Sequence, residues 1–158
     1  MGAEIQLRAV DDSDIPIFHA QESDAESIHK AAFMPAEPAT MAAFAARWER
    51  LRRNASIVRR TIVVDGNVAG HIDTFVEDGN REVSYWLGRT WWGQGIATRA
   101  LALFATEIDE RPLFARVATD NVASLHVLQK CGFVIYGAAR GYADARGMEI
   151  DEYLLRLD

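Results

Sequence analysis

The chain has 158 residues, 49% hydrophobic and 25% charged, a composition typical of one globular domain. Its formal net charge of −6 argues against a nucleic-acid binder, which would carry a basic face, and favours attraction of amine-bearing cations. Cys131 is the only cysteine, so no internal disulfide can form and a cysteine-based zinc site is not expected; the four histidines show no metal-ligand spacing either, so no metal is expected. We expect a single domain over residues 1–158 without a leader or membrane span, in a reducing, cytoplasmic setting.

The first third of the chain predicts one strand and two helices. Apolar residues alternate over residues 5–9, which is the period of a strand. Acidic and serine residues then supply a helix cap, and a short helix is predicted over residues 11–21. A second helix is predicted over residues 38–53, where Phe44 and Trp48 are four residues apart and share one buried face.

The middle of the chain predicts three antiparallel strands in a meander. Residues 57–64 and 68–76 are rich in β-branched side chains, and Asp65-Gly66 between them is a strong hairpin signal. Gly79-Asn80 marks a second turn, which leads into a third strand over residues 82–87.

The last part of the chain alternates between helices and strands. Helices are predicted over residues 96–108, with apolar residues spaced at four, and over residues 121–130, followed by a glycine stop. Strands are predicted over residues 113–118, 133–136 and 149–157. The resulting order of elements predicts an α/β (α+β) fold, in which a mixed sheet carries helices on both faces.

A glycine-containing loop, Trp92-Gly93-Gln94-Gly95-Ile96-Ala97-Thr98, joins the third meander strand to an apolar helix. Glycines here allow the backbone to approach a ligand closely, and the free N–H groups of a helix start can bind phosphate without a lysine. A dinucleotide-binding protein stays a weaker alternative, because Thr98 stands where the third glycine of that fingerprint is required. A tight turn without a ligand is the other alternative.

A second polar motif opens the helix predicted from Asn121. Asn121 and Ser124 are three residues apart, so both lie on one face of the first helical turn and could point polar groups at a ligand. An ordinary helix cap with a solvated serine is the alternative.

Together, residues 82–87, 92–98 and 121–133 resemble the GNAT superfamily of acetyltransferases. The amino-acid sequences of the glycine loop and of the later Asn-x-x-Ser helix resemble those of the branch that includes ribosomal-protein N-terminal acetyltransferases. The resemblance extends from Ile5 to the last strand and implies the acyl-CoA N-acyltransferase fold, with a mixed, mostly antiparallel sheet of six to seven strands. It also implies transfer of an acetyl group from acetyl-CoA to a primary amine by direct attack in a ternary complex.

The resemblance places cofactor contacts residue by residue. The strand before the glycine loop diverges from its neighbour and pairs its backbone with the pantetheine arm. The loop amides hold the diphosphate, and the polar residues of the later helix reach the arm and the thioester sulfur. The residues implied are Tyr85, Trp86 and Leu87, then Gly93, Gln94, Gly95, Ile96, Ala97 and Thr98, and finally Asn121 and Ser124.

The catalytic residues are less well marked by this resemblance. Glu82 is the predicted general base, with Asp73 as a second candidate, and Ser124 is the predicted acid near the thioester sulfur. Family members often carry a tyrosine acid where Leu128 stands and a phosphate-binding arginine or glutamine where Trp92 stands. A non-catalytic CoA-binding sensor or interaction module is therefore the alternative function.

The acceptor is predicted only as an amine, either a peptide N-terminus or a small molecule, bound by a monomer or a homodimer. Specificity is expected from residues 33–53 and 137–147, which are least like a motif. The four histidines are expected to be structural or exposed. His71, on a central strand beside Gly70, is the one that could instead face the acceptor pocket.

Overall fold

The computed structural model describes residues 2–158, which form seven strands and five α-helices. The elements are β1 Ile5–Arg8, α1 Ile15–Glu22, α2 Ala25–Ala31, α3 Met41–Arg52, β2 Val58–Val64, β3 Asn67–Glu77, β4 Asn80–Leu87, α4 Ile96–Glu107, β5 Leu113–Ala118, α5 Val122–Lys130, β6 Val134–Ala143 and β7 Met148–Leu157.

The strands form one sheet in the order β1-β2-β3-β4-β5-β7-β6. Strands β2 to β4 make the predicted antiparallel meander, and β1 pairs antiparallel with β2 at its edge. Strands β5, β7 and β6 pair antiparallel in a second block. The two blocks meet between β4 and β5, which run parallel and pair only at Glu82 and Phe114. Beyond this pair β4 and β5 diverge, so the sheet is open in its middle.

Helices cover both faces of the sheet, as predicted. On one face α4 buries Ala100, Leu101 and Phe104 against the strands, and α5 adds Leu128 to the same apolar core. On the other face α1 and α3 form a smaller apolar cluster of Ile15, Phe18, Phe44 and Trp48. The spacing of Phe44 and Trp48 thus marks a buried helix face, as the sequence indicated.

Two elements differ from the sequence prediction. Helix α2 was not predicted, because its seven residues are too few to show a clear helical period; the Asp24 carboxylate caps it by accepting from the Ser27 N–H at 3.0 Å. Strand β6 continues to Ala143, whereas the sequence predicted a strand ending at residue 136. Its small and polar residues do not alternate clearly, since this edge strand is largely exposed. Within residues 2–158, no helix has both the length and the apolar character needed to cross a bilayer.

Candidate active site

The backbone of β4 is open along the edge that faces the gap. The Gly88 N–H donates to the Ala69 carbonyl at 2.8 Å, and hydrogen-bonded pairs alternate along an antiparallel ladder. The N–H and C=O groups of Tyr85 and Leu87 therefore point away from β3 into the gap, while those of Trp86 face β3. The Trp92 indole N–H donates to the Leu87 carbonyl at 2.9 Å, which agrees with this direction and leaves the Leu87 N–H open.

A cavity of about 1300 Å³ runs through this gap from the glycine loop on one side to the α1–α3 face on the other. Its wall includes all but one of the predicted cofactor-binding residues: Tyr85, Trp86, Leu87, Gly93, Gly95, Ile96, Ala97, Thr98, Asn121 and Ser124. Gln94 is absent from the wall, because its side chain is exposed and donates to the Thr90 carbonyl at 3.0 Å. Part of residues 33–53 lines the wall, whereas residues 137–147, the other segment predicted to determine specificity, lie mostly in β6 and outside the wall.

The glycine loop presents unpaired backbone donors to the cavity. Gly93 and Gly95 have φ angles of +73° and +74°, a conformation that favours glycine, and space is open on the side where a side chain would start. The first hydrogen bond of α4 runs from the Arg99 N–H to the Gly95 carbonyl at 3.2 Å. Within residues 2–158, the N–H groups from Gly93 to Thr98 have no backbone or side-chain acceptor. Such a cluster at a helix start fits the diphosphate of CoA.

A lysine that sequence reasoning missed lies beside this loop. The Lys30 ammonium is 4.6 Å from the centroid of the Trp92 ring, and both side chains line the cavity. Lys30 belongs to α2, the helix that was not predicted, so no sequence signal connected it with the loop. It puts a cation where Trp92 replaces the arginine or glutamine of many family members.

A hydroxyl pair lies between β4 and α5. The Tyr85 phenol and the Ser124 hydroxyl are 2.9 Å apart, and the Asn121 amide oxygen caps α5 by accepting from the Ser124 N–H at 3.4 Å. Burial raises the pKa of the Tyr85 phenol, partly opposed by its hydrogen bond to Ser124. A protonated phenol therefore faces the cavity. Tyr85 can donate a proton there, whereas Leu128, which is buried in the core at the usual position of the tyrosine acid, cannot. The family resemblance implies a role only for the backbone of Tyr85, and no local sequence signal marks its hydroxyl group.

Glu82, the predicted base, lies at the single junction of β4 and β5. Its carboxylate is buried and accepts from the Arg116 Nε at 3.0 Å. Burial raises the pKa of Glu82, against the opposing effect of Arg116. Arg116 lines the cavity, whereas Glu82 lies behind the wall. Any proton that Glu82 takes from a bound amine would therefore have to pass through water.

A charged cluster occupies the α1–α3 side of the cavity. The His71 imidazole contacts Asp73 Oδ2 through Nδ1 at 2.9 Å and Glu22 Oε2 through Nε2 at 3.3 Å. Its ring packs edge-on against Phe18 and Trp48, with centroids 4.8 and 5.2 Å away. Burial disfavours the charged imidazole, but the two carboxylates outweigh burial and raise the pKa of His71 to about 9. His71 is thus an imidazolium at neutral pH. It forms ion pairs with the two carboxylates and is not available as a general base.

This cluster predicts a pH-dependent stability. Because the folded-state pKa of His71 lies above its usual value, the stabilisation is fully present below about pH 6.5 and is lost as the pH rises through 9. The shift corresponds to on the order of 3 kcal/mol of unfolding free energy. Denaturant unfolding of the wild type and of His71→Gln between pH 6 and 10 measures it. A wild-type decline no steeper than that of the variant would contradict the assignment.

The Cys131 thiol donates to the Thr98 carbonyl at 3.3 Å, and burial raises its pKa, so it is a protonated packing group outside the cavity wall. Across the described residues, no group of three or more His, Cys, Asp or Glu side chains is arranged to hold a metal ion.

A mixed sheet opened between β4 and β5, with a glycine loop at the opening, defines the acyl-CoA N-acyltransferase fold. A family profile described as an acetyltransferase (GNAT) domain matches residues 4–134. The chain therefore belongs to the GNAT acetyltransferase family, and the predicted family and fold are confirmed. The predominantly antiparallel sheet also excludes the doubly wound fold that a dinucleotide-binding protein would need.

Known proteins agree with this assignment. The chain is 33% identical to "Uncharacterized N-acetyltransferase p20" of Bacillus licheniformis over 85 residues. The aligned segment covers 51% of this chain and 48% of the relative. The chain thus spans about half the length of the curated relative it matches.

Two solved structures share the fold. The spermidine N-acetyltransferase of Vibrio cholerae in complex with CoA and spermine has a TM-score of 0.85 at 16% identity, covering 97% of this chain and 94% of the other. The ribosomal α-N-protein acetyltransferase RimL in complex with coenzyme A has a TM-score of 0.80 at 20% identity, with coverages of 98% and 94%. At this level of identity the similarity shows the fold alone.

Proposed function

We propose that this protein transfers the acetyl group of acetyl-CoA to a primary amine, a peptide N-terminus or a small molecule, by direct attack within a ternary complex. The observation that carries the proposal is one continuous cavity, which joins the unpaired amides of residues 93–98 to the Tyr85–Ser124 pair through the opened sheet. The proposal is supported by two structures of the same fold, both of which are complexes with CoA and one of which also contains spermine.

The wall divides the binding of acetyl-CoA among distinct groups. The amides of residues 93–98 hold the diphosphate, with the Lys30 ammonium beside them. The open N–H and C=O groups of Tyr85 pair with the amide groups of the pantetheine arm, as a further strand would, and the Leu87 N–H is left for the acetyl group. Acetyl-CoA supplies the activated thioester, and the protein's contribution is to position it against the amine.

Two groups of β4 and α5 act on the charges that develop during transfer. The open N–H of Leu87 stabilises negative charge on the carbonyl oxygen of the acetyl group. The Tyr85 phenol gives its proton to the departing thiolate sulfur, while Ser124 orients the phenol through their 2.9 Å hydrogen bond. The acid predicted at Ser124 is therefore replaced by a pair, in which Tyr85 donates the proton and Ser124 orients it.

Loss of the amine proton is assigned to Glu82 acting through water, with Asp73 as the competing candidate on the wall. Because less of the amine is neutral at low pH, Glu82→Gln is expected to lower kcat/KM for the acceptor roughly 10–100-fold at pH 7 and much less at pH 10. The matched variant Asp73→Asn is expected to lack this pH-dependent recovery. The assignment is reversed if recovery at high pH appears in Asp73→Asn and not in Glu82→Gln.

Direct attack is favoured over a covalent acetyl-cysteine route by the position of the only cysteine. Cys131 is directed at the Thr98 carbonyl, outside the cavity wall, and its raised pKa keeps it a weak nucleophile. An initial-velocity pattern of intersecting lines for acetyl-CoA and amine is the expected kinetic result.

A screen for CoA release tests the function against its alternative. Free thiol is measured after mixing protein and acetyl-CoA with peptides, amino acids, polyamines and aminoglycosides, and calorimetry measures CoA binding separately. Amine-dependent release of CoA supports the acetyltransferase. Tight CoA binding without release by any amine supports the non-catalytic sensor, the alternative suggested by Leu128 at the usual position of the tyrosine acid.

The cytoplasmic setting and the monomeric or dimeric state stay predictions.

A further inference from the structure

The acceptor arm is the part of the cavity between the sheet and helices α1–α3. Its wall includes Arg47 and Trp48 of α3, Arg59 of β2, and His71 and Asp73 of β3. It lies away from the glycine loop and is the region in which the second substrate of the proposed reaction has to bind.

Arg59 is the least satisfied charged group of this arm. Its guanidinium lies 4.4 Å from the centroid of the Trp48 ring and its side chain is 16% exposed. Among the described residues it donates no hydrogen bond: Nε and Nη1 are buried without an acceptor, and Nε is 3.6 Å from Asp73 Oδ1. Withdrawing a guanidinium from water without replacing its hydrogen bonds is costly, and burial lowers the pKa of Arg59. The guanidinium therefore has N–H groups that can donate to an oxygen ligand.

Arg47 adds a second positive charge at the same place. Its side chain lines the arm, makes no ion pair among the described residues, and lies near enough to Arg59 to disfavour the charge there. The carboxylates of Glu22 and Asp73 do not neutralise this pair fully, because both hold the His71 imidazolium. Glu77 also lines the cavity, but it lies at the exposed end of β3. Two arginines without a full counter-charge favour an anion in the arm.

We infer that the amine acceptor carries a carboxylate, which Arg59 and Arg47 bind in the acceptor arm while the amine is presented to the opened sheet. This inference rests on the proposed acetyl transfer. A guanidinium fork matches a carboxylate in two parallel hydrogen bonds, so it selects for this group by geometry as well as charge. The carboxylate belongs either to a free amino acid or to an acidic side chain near a peptide N-terminus. Polyamines are disfavoured, since they would bring further positive charge to both arginines.

Matched acceptors that differ in the carboxylate test the inference. The first set of acceptors compares tryptophan with tryptamine, phenylalanine with phenethylamine, arginine with agmatine and lysine with cadaverine, with spermidine included. The second set compares amidated tetrapeptides that differ only by glutamate or glutamine near the N-terminus. The expected result is at least a tenfold higher kcat/KM for the carboxylate member of the preferred pair. The set that shows the preference identifies the source of the carboxylate.

Variants separate recognition of the carboxylate from differences in amine basicity. Arg59→Gln is expected to reduce the preference below threefold without changing the KM for acetyl-CoA, and Arg59→Lys to retain part of it. Arg50→Gln, on the same helix as Arg47 but outside the cavity, is the control and is expected to keep the full preference. An equal preference in wild type and Arg59→Gln, or spermidine as the best acceptor, overturns the inference while the proposed function stands.

A binding measurement decides the inference without turnover. If no amine releases CoA, the proposed function fails, and N-acetyltryptophan and N-acetylphenylalanine are titrated against their amides in the presence of CoA. At least fivefold tighter binding of the acids to wild type, lost in Arg59→Gln, supports the carboxylate site. Equal binding of acids and amides overturns it.

Discussion

Replacing Gly95 with glutamate is expected to weaken acetyl-CoA binding at least 100-fold, a loss of about 2.7 kcal/mol. Gly95 caps α4 with a φ of +74°, and a side chain in this conformation costs about 1–2 kcal/mol. The added carboxylate also enters the space over the unpaired amides, where it repels the diphosphate and competes for its donors. Calorimetric titration of CoA into the folded variant measures the effect.

Gly79 provides the matched control for Gly95. It has a φ of +79°, open space around it, and a place in the β3–β4 hairpin outside the cavity wall. Gly79→Glu should lose comparable stability while binding CoA like the wild type, and Gly95→Ala should fall between the two extremes. Wild-type affinity in Gly95→Glu would remove the loop from cofactor binding.

Replacing Tyr85 with phenylalanine is expected to lower kcat roughly 10–100-fold with little change in the KM for acetyl-CoA. The substitution keeps the ring and the β4 backbone but removes the proton that the departing thiolate receives. Because burial raises the pKa of this phenol, the wild type should keep its activity to high pH, where an ordinary tyrosine begins to ionise. Steady-state rates between pH 6 and 10.5 check both statements.

Two further variants show whether the loss belongs to the acid. Ser124→Ala should cost less than Tyr85→Phe, since it removes only the orienting hydrogen bond. Tyr142→Phe changes an exposed tyrosine of β6, outside the cavity wall, and should leave kcat unchanged. A Tyr85→Phe enzyme with wild-type kcat would mean that water protonates the thiolate.

Much of the fold follows from local patterns in the sequence. The Asp65-Gly66 turn joins two β-branched runs, and the structure forms the hairpin there. The apolar spacing from Ile96 marks α4, and the residues around the glycine loop line the cavity. These features depend on neighbouring residues, so the sequence contains enough information to predict them.

The catalytic and acceptor groups depend on contacts between distant residues. Tyr85 and Ser124 are 39 residues apart, and His71 and Glu22 are 49 apart. Their meeting is decided by sheet register and helix packing, for which the sequence has no local signal. Lys30 was missed for the same reason, because the helix that carries it is short and weakly periodic. The divergence of β4 and β5 was implied only by the family resemblance.

A crystal structure of the CoA complex tests the central claim most directly. The expected result is diphosphate oxygens within about 2.7–3.2 Å of backbone N–H groups from Gly93 to Thr98, with the pantetheine arm paired to the backbone of Tyr85. A structure in which CoA binds elsewhere, with those amides facing only solvent, would contradict the proposed function and the mechanism built on it.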